Sequence, residues 1–174
     1  MLAFLSELKK RNKLLFRFGW FCLAGVVFCM IQFQRDATFV AGINAWIKPL
    51  KFFLSIAVFS WTMAWLLYHL EAQRKVRVFS LMVVLVLLFE LAVITWQAAN
   101  GRLSHFNIST PLYGALFSAM GIAITILSLW TGYMAFLFFK QKKFNISRSY
   151  LWGIRLGIIL FVIFSFEGGI MAAR

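Results

Sequence analysis

Residues 78–99 read VFSLMVVLVLLFELAVITWQAA, a run with one formal charge, Glu90. At about 1.5 Å of rise per residue it is long enough to cross a hydrocarbon core of about 30 Å as a helix. Lipid offers no water to backbone N–H and C=O groups, so the segment must satisfy them internally, which selects helix. The pattern repeats outward from this run. Blocks at 14–33, 50–69, 111–139 and 150–173 are similarly apolar, separated by short charged or Gly/Pro-bearing stretches. A β-barrel would instead show alternating segments of about ten residues, and none is visible. The expected fold class is an all-α membrane protein, an antiparallel bundle of about five transmembrane helices in a single domain over 14–174. Residues 1–13 form a basic interfacial segment ahead of it, with Leu2, Leu5 and Leu8 on one helical face.

Composition agrees. The chain is 63% hydrophobic and 13% charged, against about 45–50% and about 25% in soluble domains. Its net charge of +13 does not point to nucleic acid, because the basic residues sit in short clusters between apolar blocks, where topology uses them. Cys22 and Cys29 lie on one helix about 10.5 Å apart along its axis, too far for a disulfide, and read as packing residues. The first block is longer than a signal-peptide core and no A-x-A-like site follows it, so it reads as a retained span.

Orientation follows from Lys and Arg. Twelve of them (Lys9, Lys10, Arg11, Lys13, Arg17, Arg74, Lys75, Arg77, Lys140, Lys142, Lys143 and Arg148) fall on one side of the expected bundle. Arg35, Lys48, Lys51, Arg102 and Arg174 fall on the other. The positive-inside rule places the N-terminus in the cytoplasm and the C-terminus outside.

Polar residues in the apolar blocks mark candidate chemistry, since an ionisable group in lipid costs a few kcal/mol. Glu90 and Glu167 both fall in the outer halves of their spans, and Gln97 lies two turns beyond Glu90 on the same face. They suit a proton or cation relay or a ligand-binding carboxylate; an interhelical hydrogen bond or a structural ion pair is the plainer alternative. Lys48 and Lys51 sit at a helix start on the outer side, where both the macrodipole and the charge bias disfavour cations. A compensating anion would explain them, and so would snorkelling towards headgroups. Arg102, His105 and Asn107 lie in the short outer loop that follows. Together these residues suggest an outer-facing polar site for a small anion or an anionic lipid, closed beneath by Glu90 and Glu167.

Gly114, Ser118, Gly121, Thr125, Ser128 and Gly132 recur three or four residues apart, and Gly153 and Gly157 form a GxxxG. Such stripes permit close helix packing in lipid, here within the bundle or in a homo-oligomer. No cofactor is expected. His69 and His105 fall at opposite surfaces, about 30 Å apart, so they cannot share one haem iron. No metal-ligating cluster or recognisable nucleophile set is present.

The strings GINAWIKPLKFFLSIA, FELAVITWQAANGRLSHFNISTP, LWGIRLG and SFEGGIMAAR resemble a family of multi-pass bacterial integral membrane proteins. The resemblance covers about three-quarters of the chain from Gly42 onward and implies the bacterial cytoplasmic (inner) membrane. It adds weight to Lys48, Lys51, Glu90, Gln97, Arg102, His105 and Glu167, but brings no activity with it. Family members continue past the position of Arg174, so the resemblance implies a C-terminally shortened chain. The expected function is ligand binding at the outer site. A proton- or ion-coupled transporter and a structural subunit of a membrane complex are the alternatives, and an enzyme is the least supported. A transporter should show paired halves or broken spans, and neither is visible.

Overall fold

The computed structural model describes residues 2–103, 107 and 109–172. It is an all-α bundle: α1 Leu2–Arg11, α2 Lys13–Arg35, α3 Ile47–Leu66, α4 Gln73–Ala99, α5 Pro111–Lys140 and α6 Arg148–Ala172. Among the described residues, five helices are long and apolar enough to cross a membrane, one in each block read from the sequence. Their outward faces are apolar throughout: Val58 is 60% exposed, Ile122 61% and Phe164 64%. Water would penalise such a surface, whereas lipid solvates it.

Local chemistry sets the helix ends. Asn12 breaks α1 from α2 with an extended backbone, and its side chain accepts from the Leu15 amide. Thr110 does the same for α5 through the Tyr113 amide, with Pro111 in the first turn, where no N–H is required. α3 begins at Ile47, three residues ahead of the expected start, with Pro49 still inside its first turn. α4 begins at Gln73, earlier than the apolar run, because its first turn carries the charged residues Arg74, Lys75 and Arg77 out of the span.

α2 and α3 form the closest pair. The indole of Trp61 packs against the α2 backbone at Gly19, where an added Cβ would come within 2.0 Å of Nε1. That Nε1–H donates to the Phe16 carbonyl at 3.2 Å. Two turns outward, the Phe53 ring covers Gly25, where a Cβ would approach to 2.4 Å. Buried Leu15, Phe18, Cys22 and Cys29 continue the seam, so both cysteines are free thiols used in packing.

The small-residue stripe of α5 is used differently from its expected role as one continuous seam. Ser128 is buried and a Cβ on Gly132 would meet Val162 at 3.8 Å, so this half faces α6. Ser118, Gly121 and Thr125 are exposed, and a Cβ on Gly114 or Gly121 would meet nothing within 4 Å. Gly153 and Gly157 are likewise open. The reason is geometric. In the N-terminal half of α5 the buried face is carried by Tyr113 and Met120 instead.

At the basic end, α1 docks onto α3. Arg11 donates to the Trp65 carbonyl (3.2 Å), pairs with Glu7 (3.0 Å), meets His69 Nε2 (3.3 Å) and stacks on the Trp65 ring at 3.8 Å. Arginine has only donors, so His69 Nε2 accepts here. Gln141 ties two turns together, accepting from the Glu71 amide and donating to the His69 carbonyl. Arg155 donates twice to the Phe138 carbonyl, one of the last acceptors of α5 left without a helical partner.

The two kinds of glycine lead to opposite expectations. Gly19→Ala should destabilise the protein by about 1–3 kcal/mol, because the indole must leave its hydrogen bond. Gly121→Ala should be neutral or mildly stabilising, since alanine favours helix and meets nothing. Thermal unfolding in detergent checks this; equal effects of the two changes would remove the α2–α3 seam as the structural keystone.

Candidate cationic cavity

At the other end of the bundle, Asp36 organises the link between α2 and α3. Its carboxylate accepts from the Thr38 hydroxyl (2.5 Å), the Trp46 indole N–H (2.8 Å) and the Thr38 amide (3.0 Å). Those bonds hold its pKa below the ordinary carboxylate value. The Asn44 amide donates to the Asp36 carbonyl at 2.8 Å while its oxygen takes the buried Trp46 N–H at 2.9 Å. The chain between is a minimal hairpin, β1 Phe39–Val40 paired antiparallel with β2 Ile43–Asn44. Both turn residues have positive φ, Ala41 at 51° and Gly42 at 79°. Two-residue hairpins require this twist, and for Ala41 it is a strained backbone.

α4 ends beneath this hairpin in a defined stop. Gly101 takes a φ of 61°, its N–H bonds the Ala98 carbonyl and the Arg102 N–H bonds the Gln97 carbonyl at 2.9 Å. This paired closure is the Schellman pattern. A Cβ on Gly101 would come within 2.9 Å of the Thr38 methyl, so the absent side chain lets the hairpin approach the end of α4. Arg102 leaves the stop with its guanidinium 5.1 Å from the centre of the Tyr113 ring.

Between the hairpin, the first turns of α3 and the end of α4 lies a cavity of about 280 Å³. Lys48, Lys51 and Arg102 line it, with apolar walls from Val40, Phe52 and Ile94. Of the residues the sequence singled out, these three cations therefore come together. Glu90 is 1% exposed and within electrostatic range of Lys48. Gln97 is 2% exposed. Glu90 Oε1 and Gln97 Oε1 are both buried without a hydrogen-bond donor. An unmatched buried acceptor costs about 1–3 kcal/mol, so this column of α4 is primed for a donor.

The other expected residues lie elsewhere. Glu167 is on the exposed face of α6 and does not line the cavity, because α6 packs chiefly on α5. Asn107 closes its own loop, accepting from the Ser109 amide and hydroxyl and donating to the Leu103 carbonyl. His105 lies outside the described residues. Sequence reasoning missed the hairpin and Asp36 as its organiser. The signals were present in the Asp-x-Thr turn and in Ala-Gly between two β-branched residues.

No family model matches the chain, and no curated protein or solved structure matches it either.

Because the Asp36 pKa is lowered on folding, its stabilisation is complete above the unfolded carboxylate pKa of about 4 and is lost as pH falls through the folded value. Wild type should therefore melt above Asp36→Asn at neutral pH, and the gap should close in acid. A gap that persists unchanged in acid would assign the effect to shape rather than to the carboxylate.

Proposed function

We propose that the protein is a multi-pass protein of the bacterial inner membrane that binds a small anionic or lipid-like ligand in the outer-facing cavity. Its N-terminus lies in the cytoplasm and its C-terminus outside. One observation carries the reading: Lys48 and Lys51 from the start of α3 and Arg102 from just past the end of α4 line one partly apolar cavity. Glu90 offsets part of the charge of Lys48, while among the described residues no ion pair reaches Lys51 or Arg102. Asp36 is committed to the hairpin and Glu90 is buried beneath Lys48. Like charges gathered at the edge of a low-dielectric medium repel one another, so an anion that neutralises them is stabilised there. The apolar walls favour a ligand whose anionic head carries a hydrocarbon part.

Glu90 supports a second reading. A carboxyl buried in a span, with an oxygen unpartnered and a lysine in electrostatic range, also suits a proton- or cation-coupled transporter. Proteoliposome uptake that disappears in Glu90→Gln, while the ligand still binds, would favour it over simple binding.

The direct test is native mass spectrometry of the protein released gently from its own membrane. A discrete added mass should accompany the 20.1 kDa chain. Lys51→Ala or Arg102→Ala should lower its occupancy about tenfold or more, the scale of one charge-assisted hydrogen bond. A bare chain, or an adduct indifferent to both substitutions, would defeat the proposal.

A further inference from the structure

A second charged cavity lies at the opposite, basic end of the bundle and is independent of the outer one. It measures about 280 Å³ and is bounded by Arg11, Asn12, Lys13, Gln73, Arg77 and Ser80. Its walls therefore come from the α1–α2 junction on one side and the first turns of α4 on the other. The floor is fixed: the Asn12 amide donates to the Ser80 hydroxyl at 2.7 Å, and that hydroxyl, 1% exposed, donates to the Val76 carbonyl at 2.8 Å.

The groups around the cavity are unequally engaged. Arg11 is compensated by Glu7 and held by Trp65. Gln73 is turned onto the carbonyls that end the 3-10 turn Leu67–His69, and the Asn12 oxygen caps α2. Lys13 and Arg77 remain. Among the described residues neither has a hydrogen bond, an ion pair or a ring contact, although both line the same cavity. Charges serving topology alone need only project from turns, as Lys9 and Lys10 do on the exposed face of α1. Lys13 and Arg77 instead face one concave, polar-floored space from two different elements.

The surroundings identify the anion. Leu14, 38% exposed on α2, lines the cavity beside the cations, and one helical turn beyond Arg77 on α4 Leu81 is 49% exposed. A ligand placed here therefore has its charge at the polar end and hydrocarbon beside it along the spans. Basic pockets between spans on the cytoplasmic side suit anionic headgroups by this combination.

We propose that this cavity binds the phosphodiester headgroup of an anionic phospholipid of the leaflet at the basic end, with Lys13 and Arg77 as its direct partners. The protein purified into nanodiscs of phosphatidylcholine doped with phosphatidylglycerol is the system to use, read by native mass spectrometry of retained lipids. Wild type should retain phosphatidylglycerol in preference to phosphatidylcholine. The double variant Lys13→Gln/Arg77→Gln should lose about 25-fold of that preference, about fivefold for each cation. Lys9→Gln/Lys10→Gln removes the same charge outside the cavity and should keep it. The charge-conserving pair Lys13→Arg/Arg77→Lys should keep it too, which separates a lost contact from a damaged fold. Repeating the series in Lys51→Ala/Arg102→Ala protein should give the same dependence, since the outer cavity is not involved. Equal losses in both glutamine pairs, or no preference in wild type, would overturn the proposal. Displacement of the retained lipid by millimolar inorganic phosphate alone would assign the cavity to a soluble phosphate and overturn the lipid assignment.

Discussion

The indole of Trp61 resting on Gly19 is the contact on which the rest of the molecule depends. The ring packed on bare backbone joins α2 and α3, the most extensively packed helix pair, and the indole N–H finds an acceptor at the Phe16 carbonyl. In a bilayer there is no hydrophobic drive between spans, so close contact and satisfied polar groups must supply the association. One residue supplies both. Trp20 and Phe16 flank the same indole, and Phe21 meets Phe53 one step outward, so an aromatic seam extends the contact along both helices.

That pairing determines the geometry at both ends. At the basic end it brings the C-terminal turn of α3 beside the start of α2, and Arg11 uses the exposed Trp65 carbonyl and ring to hold α1 in place. At the other end the chain reverses between the two helices through a hairpin braced by Asp36, Asn44 and Trp46. Gly101 admits the hairpin root to the end of α4. The cationic cavity is the space left between these pieces, lined by Lys48, Lys51 and Arg102. The strained Ala41 lies on its rim.

Much of the architecture was legible because lipid makes few demands and makes them strictly. Apolar length located the spans, and the Gly/Pro-bearing stretches between them hold the caps at Thr110-Pro111 and Gly101. Lys48 and Lys51 were recognisable as misplaced charges and Arg102 as a loop residue grouped with them, and the three line one cavity. Packing partners were far less legible. A stripe of small residues on α5 permits close approach without causing it, and what closes on a helix depends on a ring or backbone supplied from elsewhere. Gly19 and Gly25 belong to no four-residue motif, yet Trp61 and Phe53 fill the space above them. Glu167 was grouped with Glu90 by depth alone, and depth says nothing about which way a helix faces. The hairpin was hidden because two residues per strand are too few to show alternation.

The distribution of satisfied polar groups along the chain has a consequence for biogenesis. By the time α3 has been synthesised, the Trp61 indole, the Asp36 carboxylate and the Arg11 guanidinium all have partners within residues 7–65 or the turn just after them. The first two spans can therefore leave the insertion machinery together as a self-sufficient helical hairpin. α4 differs, because it enters the bilayer carrying Glu90, whose electrostatic counterpart, Lys48, is already in place on that hairpin. The N-terminal third of the protein thus presents a cation to the buried acid of α4.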